Sequence, residues 1–579
     1  MTAGGGQATA MSGSVTPDPE TPGLKDAPVG PAADGPKGSV GSTGRRPWWV
    51  WAVPFTFLFA LLCVRNRFLF TTRLYEQGDA GANSILIEQA KHLTLLIGNY
   101  SREGFNHPGP AYMYVQALGE YLSSDALHVV PTAWNAHMLS VFALDSAFAA
   151  LAVGVVYGWT RSLRGAATCF AVFIAFAVAY PPIVNSDWMP YMYVPTYVVF
   201  VIAAGSVVAG RFQDAWIFAL TGWFLIHGQA CFLFFVPVLT LAVLAAVLWP
   251  HRRTLRASAG SFFREHSFFH EQRRVWVPVA VISAVFAFPI VLNLVLHWPG
   301  DFGKYISYGS SAQAGGHGLH QIVLYALWFW WPHRYAWLAP VLLYALALAV
   351  TYWLSRGPMR RFLFVLLAIN VVSSLAFVVY AAVGIDDLSE YYIGYFYWSA
   401  PLVTVLVVVL AAAEALRPQP DAPGTQPSGF SGFRGRVRSA LAQRAFALST
   451  AAAVLAAAAV FAVLAVIPGT HANTKDVDES LPRVVATLAA RAPGKTIVLH
   501  IDHSAWVETT GFLVQAERSG VKACLDDPWY TFMMTKQFIC TSAQAASGQA
   551  YWFYTPQAPP NAPVILRFSG VAVAPALSS

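Results

Sequence analysis

Runs of about 20 apolar residues recur along most of the chain, and no other feature limits its fold so tightly. A helix of that length rises about 30 Å, the thickness of the hydrocarbon core of a bilayer. The runs cover 47–66, 134–159, 165–182, 192–210, 214–227, 230–249, 275–297, 335–354, 362–383, 393–416 and 444–467. They predict a polytopic α-helical membrane protein with about 11 transmembrane helices. Only 11% of the 579 residues are charged, against about 25% in a soluble chain. The 20 Trp and 24 Tyr suit a protein with many interface crossings, where amphipathic rings settle at headgroup level.

The charges between the runs set an orientation. Arg45 and Arg46 precede the first run, which predicts a cytoplasmic N-terminus. Alternation then puts Arg161, Arg164, Arg211, the basic stretch 252–274, Arg356 to Arg361 and the stretch 417–444 on that same side. Arg65, Arg67 and Arg73, at the far end of the first run, go against the pattern. The formal charge of +7 is accordingly read as a topology signal and not as a nucleic-acid footprint. The predicted location is the plasma membrane. Residues 1–46 are rich in Gly, Pro, Ser, Thr and Ala, and predict a disordered cytoplasmic segment that cannot bury enough surface to offset its ordering entropy. No charged stretch and apolar core begin at Met1, as a signal peptide would require.

Two other parts should stand outside the lipid. The first loop on the far side, 67–133, reads as two surface helices within the membrane region 47–467. Leu86, Ala90, Leu93 and Ile97 form the stripe of one; Ala111, Val115, Leu118 and Leu122, after Pro108-Gly109-Pro110, form the stripe of the other. The segment 320–331 is too short to span and reads as another surface helix. Residues 468–579 change character and predict a small extracytoplasmic α/β domain. Strands are expected at 495–501, 521–525, 551–555 and 564–568, with a helix over 504–518 stopped by Gly520. Cys524 and Cys540 share that domain and would pair in an oxidising compartment. Cys63, Cys169 and Cys231 fall in apolar runs as small hydrophobes.

No metal motif, phosphate-cradling glycine loop or nucleophile elbow is present. Outside the basic loops, the ionisable residues collect on the far side, most densely in 75–117, YEQGDAGANSILIEQAKHLTLLIGNYSREGFNHPGPAYMYVQA. An acid opens the first surface helix, and a Gly-rich then Pro-rich turn leads into the second. This layout resembles the GT-C superfamily of membrane glycosyltransferases, which includes the protein O-mannosyltransferases and the aminoarabinose transferases of lipid A. The topological resemblance covers about 47–467 and the motif resemblance about 75–117. It implies an inverting hexosyl- or pentosyltransferase that takes a sugar from a polyprenyl-phosphate donor and gives it to an extracytoplasmic glycan, lipid or protein. It leaves open whether a divalent metal takes part, since such enzymes differ on this. The family often carries an Asp-Glu pair, whereas here Asp79 is followed by Ala80 and its nearest acidic neighbour is Glu76, so both carboxylates are candidates.

The chemistry needs a base for the acceptor hydroxyl and fixed positive charge for the departing phosphate. Asp79 is the candidate base, and equally a candidate cap for a helix beginning near Ala80. Arg102 is the first candidate for the phosphate, because guanidinium matches it bidentately. Lys304 and Arg334, flanking a later far-side loop, come second; solvated loop charges are the plain alternative for each. His107 binds substrate or hydrogen-bonds the Pro108 turn. Asp187 is a site acid or a turn Asp. His227 and Gln229, at the tip of the 214–249 hairpin, contact sugar or satisfy exposed backbone. The cluster Asp386, Asp387, Glu390, Tyr391 and Tyr392 reads as a solvated loop. Asp502, His503 and Ser504 read as a helix start and not as hydrolase chemistry. Asp145, midway down the second run, is costly as an ion and reads as protonated or paired. With Asn293 and His297 it would form the pathway of a transporter or lipid-linked flippase, the alternative class; a receptor or scaffold is a third.

Overall fold

The computed structural model describes residues 46–249, 273–311, 316–330, 337–415, 472, 474 and 476–576. Arg334, the run 444–467 and most of the stretches 1–46, 252–274 and 417–444 lie outside the described residues. The described chain is mostly helical. Its helices are α1 Trp49–Arg65, α2 Gly78–Lys91, α3 Ala111–Glu120, α4 Ala133–Thr160, α5 Leu163–Ala179, α6 Met189–Val208, α7 Ala215–Gly228 and α8 Phe232–Leu248. They continue with α9 Arg273–His297, α10 Gly300–Ser311, α11 Leu319–Trp328, α12 Leu338–Leu354, α13 Gly357–Val383, α14 Ser399–Ala415, α15 Leu481–Arg491 and α16 Trp506–Arg518.

Five segments among the described residues are long and apolar enough to cross a membrane: α4, α6, α9, α13, and Tyr391–Ala415, in which a 3-10 turn runs into α14. Helices α1, α5, α8 and α12 are apolar at 17 residues each, about 26 Å at 1.5 Å per residue. Helix α6 is the hub. It is buried almost all round, as a helix with no polar face must be, and it packs against α4, α7, α8, α13 and α14. At its C-terminal end Ser206 donates to Asp214 (2.6 Å), whose other oxygen takes Arg46 Nη2 at 2.5 Å. Arg211 lies over the Trp159 ring beside this pair. Basic residues therefore gather at one end of the bundle.

The C-terminal region is a five-stranded sheet in the order β4-β3-β5-β7-β6. Its strands are β3 Ile497–Ile501, β4 Ala523–Leu525, β5 Gln549–Tyr554, β6 Leu566–Phe568 and β7 Val571–Pro575. The first three pair parallel, and β7 pairs antiparallel with β5 and β6. Strand β7 and helix α15 are elements that periodicity did not single out. Two short strands, β1 Tyr75–Glu76 and β2 Val477–Asp478, pair antiparallel and tie this region to the first loop. Helix α2 sits between two cores: Ala82 and Ile85 join the sheet's cluster with Leu499 and Phe512, while Leu86, Ile87 and Ala90 join the main bundle's. Its contact with α16 is close. A Cβ on Gly511 would come within 2.6 Å of the Glu76 carbonyl oxygen.

The stripe expected over Leu86 to Ile97 is corrected, and that of the second helix turns away from the protein. Helix α2 stops at Lys91; Leu93, with φ +58°, is exposed and off the helix, and Ile97, also off the helix, is half-buried against the bundle core. In α3 the buried face is Tyr112, Met113, Gln116, Ala117 and Glu120, while the expected stripe residues Leu118 and Leu122 are exposed. Periodicity marks an apolar stripe, but a stripe is satisfied by lipid as well as by protein. The protein-facing side of α3 is instead fixed by polar groups that need partners. Glu120 Oε2 lies 2.7 Å from His137 Nε2, and its other oxygen takes Lys91 Nζ at 2.8 Å.

The joint between the two parts is ionic. Arg518 Nη1 donates to Glu76 Oε1 at 2.6 Å, with the carboxylate almost fully buried. Burial pushes the Glu76 carboxyl up, but Arg518 and His137 outweigh it and hold it below the ordinary range. Glu120 is likewise held low, its burial outweighed by His137, Arg518 and Lys91. Unfolded glutamates titrate near 4.3, so both pairs stabilise the fold above that pH and lose their contribution as pH falls toward the depressed folded values. The share of stability that Glu76 supplies, read as the difference in unfolding midpoint between wild type and Glu76→Gln, should be complete above about pH 5 and be lost below about pH 4. Arg518→Ala, which strands the buried carboxylate, should cost about 3–5 kcal/mol. Thermal unfolding of the purified protein across pH checks both.

Candidate functional site

The turn between α2 and α3 is built to meet the break between α7 and α8. Gly98 N donates to His107 O and His107 N to Asn99 O, which closes the turn. Gly109 N donates to His227 O at 3.3 Å, and a side chain at Gly109 would run into the His227 ring, so glycine is needed for this approach. Beside this junction, at the N-terminal end of α6 and opposite the Arg46–Asp214 pair, lies a cavity of about 560 Å³. The start of α6, the end of α13, α10 and Trp506 of the C-terminal region complete its walls.

Asp79 faces this cavity from the first turn of α2. Its Oδ2 accepts from Trp188 Nε1 at 2.6 Å, and its Oδ1 accepts from the Tyr100 hydroxyl. The Tyr100 phenol is pushed up by burial and by the Asp79 charge, so it keeps its proton and donates. The N-cap position is Gln77, two residues earlier than expected and without a side-chain capping bond, and the Asp79 side chain is engaged by two other segments instead. Glu76, the other candidate carboxylate, is outside the cavity lining and committed to Arg518.

Arg102 also lines the cavity. Its Nη2 donates to both oxygens of Asp386 at 2.6 Å, and Glu103 and Glu390 lie at 3.2 and 3.4 Å. Burial works against this charge, but Tyr392 and Asp386 more than offset it and hold the guanidinium firmly protonated. Asp386, pushed up by burial, is held below the ordinary range by Tyr308 and Arg102. Asp386 and Tyr392 therefore belong to the cavity wall, and the expectation of a merely solvated loop is corrected. The loop's predicted position on the same side as Arg102 was the available signal. The contact itself spans 284 residues of sequence and leaves no local pattern.

His107 and Gln229 line the cavity too. His107 Nδ1 accepts from Ala230 N at 3.2 Å, and burial lowers the imidazole to about 3, so it is neutral and pins the turn to the α7–α8 break. His227 stands behind the wall. Its Nδ1 accepts from Ala111 N and its Nε2 donates to Phe286 O, which satisfies the backbone at the start of α3. Asp187 lies next to Trp188 but outside the lining; its Oδ2 accepts from Trp134 Nε1 at 2.9 Å, and burial pushes it up to about 6. Lys304 lies outside this cavity, in an adjoining groove, and donates to Gly104 O at 2.7 Å. Asp145 is fully buried in α4, with neither oxygen bonded among the described residues, and neither it nor Asn293 nor His297 lines either space.

Among the described residues no three His, Cys, Asp or Glu side chains group as metal ligands. Of the three cavity carboxylates, Asp79 is engaged by Tyr100 and Trp188, Asp386 by Arg102 and Tyr308, and Glu103 by Arg102. The chain matches no family model, no curated protein and no solved structure.

In the C-terminal region, a disulfide joins Cys524 to Cys540 across a separation of 16 residues. It closes the loop that carries Trp529, Phe532, Thr535 and Lys536. Thr535 holds φ +60° and ψ +164°, a region suited only to glycine, at a cost of about 1–3 kcal/mol. Non-reducing mass analysis should recover the two cysteine peptides joined, and free thiols at both positions would refute the bridge. Cys524→Ser with Cys540→Ser should lower stability by about 2–4 kcal/mol.

Proposed function

We propose that the chain is a membrane glycosyltransferase of the GT-C type. It moves a sugar from a polyprenyl-phosphate donor to an acceptor hydroxyl on the outer face of the plasma membrane. Its helices would cross the bilayer about 11 times, with the Arg46–Asp214 end cytoplasmic, because basic residues favour that side. The cavity and the C-terminal region would then face outward. The observation that carries this reading is the juxtaposition of an oriented carboxylate, Asp79, and a guanidinium, Arg102, in one cavity beside apolar helices.

The acceptor O–H gives its proton to Asp79 as its oxygen attacks the anomeric carbon. The new C–O bond forms on the face opposite the departing phosphate, and the anomeric configuration inverts. The bond from that carbon to the phosphate oxygen breaks, and its electron pair leaves with the phosphate. Trp188 and Tyr100 hold Asp79 in one orientation, which lowers the reorganisation needed at the transition state. Arg102 receives the growing phosphate charge, exchanging Asp386 for the new anion; its fork geometry suits either. Gln229 and His107, on the same wall, would contact the sugar.

Deletion of the gene should remove one sugar linkage from the cell-envelope glycans or lipids, and wild-type protein should restore it. Accumulation of a lipid-linked precursor with every linkage still made would favour a transporter or flippase. Asp79→Asn, expressed at normal membrane levels, should reduce restoration by about 10²–10⁴-fold, the range for loss of a general base. Near-normal turnover would remove Asp79 as the base. In membranes supplied with donor, Arg102→Ala should raise the donor concentration needed for half-maximal transfer by about tenfold or more. Unchanged donor dependence would argue against a phosphate contact there.

A further inference from the structure

A second space of about 730 Å³ adjoins the cavity, and Arg102 and Glu103 line both. Its near wall is the first-loop turn, with Ile97, Gly104 and Asn106; its far wall is the disulfide-closed loop of the C-terminal region. Trp529 projects from that loop at 55% exposure, unusual for an indole in a well-packed region. Its orientation is fixed by edge-on contacts with His503, Tyr530 and Phe532, whose ring centroids lie 4.7 to 5.2 Å away, and by the Asp527 cap on its own backbone N–H at 2.9 Å. Along the same groove, Thr535 is held in its strained conformation with a buried hydroxyl that bonds to nothing among the described residues. Backbone strain clusters at ligand-binding and active sites, and a buried polar group without a partner calls for an explanation. Two ammonium groups complete the lining: Lys304, which pairs with Asp301 at 3.2 Å, and Lys536, which makes no ion pair among the described residues.

We propose that this groove is an acceptor subsite and that it takes an anionic glycan chain. The flat, fixed face of Trp529 suits the C–H face of a sugar ring, whose positive edge meets the negative π face. Thr535 and Asn106 are polar side chains of the same lining, and Asn106 keeps its side-chain oxygen for a ring hydroxyl while its amide nitrogen donates to Gly98 O. Lys536 and Lys304 suit carboxylate or phosphodiester groups along the chain. Because Arg102 and Glu103 belong to both spaces, a chain lying in the groove presents its end to Asp79. The groove's volume falls within the ordinary range for ligand sites, about 300–1,000 Å³. The word acceptor rests on the transferase reading; glycan binding by the groove does not.

Full-length protein in detergent micelles, immobilised, tests this with three probes: oligogalacturonate, a phosphodiester-linked oligosaccharide and neutral oligomannose. Inorganic phosphate serves as competitor. At least one anionic chain should be retained about tenfold more tightly than oligomannose. Trp529→Ala should weaken that retention by about tenfold or more, with Trp529→Tyr restoring much of it. Lys536→Gln should reduce the preference for the anionic chain. Thermal melts keep these effects separate from misfolding. Retention of no probe, retention unaffected by Trp529→Ala, or complete displacement by an equal concentration of inorganic phosphate would each overturn the proposal. Retention is read without turnover, so the two readings fail separately. Chains held by a protein that transfers nothing would sink the transferase and leave the groove; an active transferase that holds none would sink the groove alone.

Discussion

The arrangement of the candidate site depends on one ion pair that joins distant parts of the chain. Glu76 and Arg518 are 442 residues apart in sequence, and their bond at 2.6 Å sits against the close contact of Gly511 with the Glu76 backbone. A buried carboxylate without its cation is far costlier than a pair, so the two segments separate only at a large penalty. The short β1–β2 ladder and the Thr510 bond to Gly78 O add direction to this joint. Asp79 follows three residues after Glu76, at the start of α2. The same contact that docks the C-terminal region therefore fixes where Asp79 stands and brings Trp506 to the cavity wall.

A second constraint acts from the other side. In a low-dielectric bundle a backbone group freed by a helix break must find a partner within the protein. The break between α7 and α8 is met by the first-loop turn: His227 accepts from Ala111 N, His107 accepts from Ala230 N, and Tyr193 donates to Gly228 O at 2.5 Å. These bonds look local, but they decide the height of the turn that carries Arg102. The ionic joint positions the carboxylate and the helix break positions the guanidinium, and the cavity is the space left between the two anchors.

This division explains what could be read in the sequence. The apolar runs follow from a requirement imposed along the chain, so ten of the expected spans fall on helices and the strand at 497–501 lies inside its expected run. Asp79, Arg102, His107 and Gln229 were legible as a group because the polar residues of alternating loops must share one surface, and all four line the cavity. Three features were not legible. The buried face of α3 is chosen by Glu120 and His137, which no stripe of Leu and Val reveals. The role of His227 depends on a backbone N–H of Ala111, 116 residues earlier. Asp386 is defined by its partner Arg102, and an acidic loop read alone resembles any solvated turn.

The surroundings of Arg102 bear on how a phosphate would be handled. One guanidinium faces Asp386, Glu103 and Glu390, so this corner carries more negative than positive charge. A cation placed there for packing alone would need one carboxylate, not three. In the proposed reaction the excess has a use. An arriving sugar-carrying polyprenyl phosphate would displace Asp386 from the fork, and the carboxylate, held by the Tyr308 hydroxyl, would stay close enough to recapture the arginine once the product phosphate leaves. The phosphate is thus bound against a competitor. Binding would be weaker than at a bare arginine, and release of the spent carrier, whose phosphate gains charge when the sugar bond breaks, would be correspondingly easier.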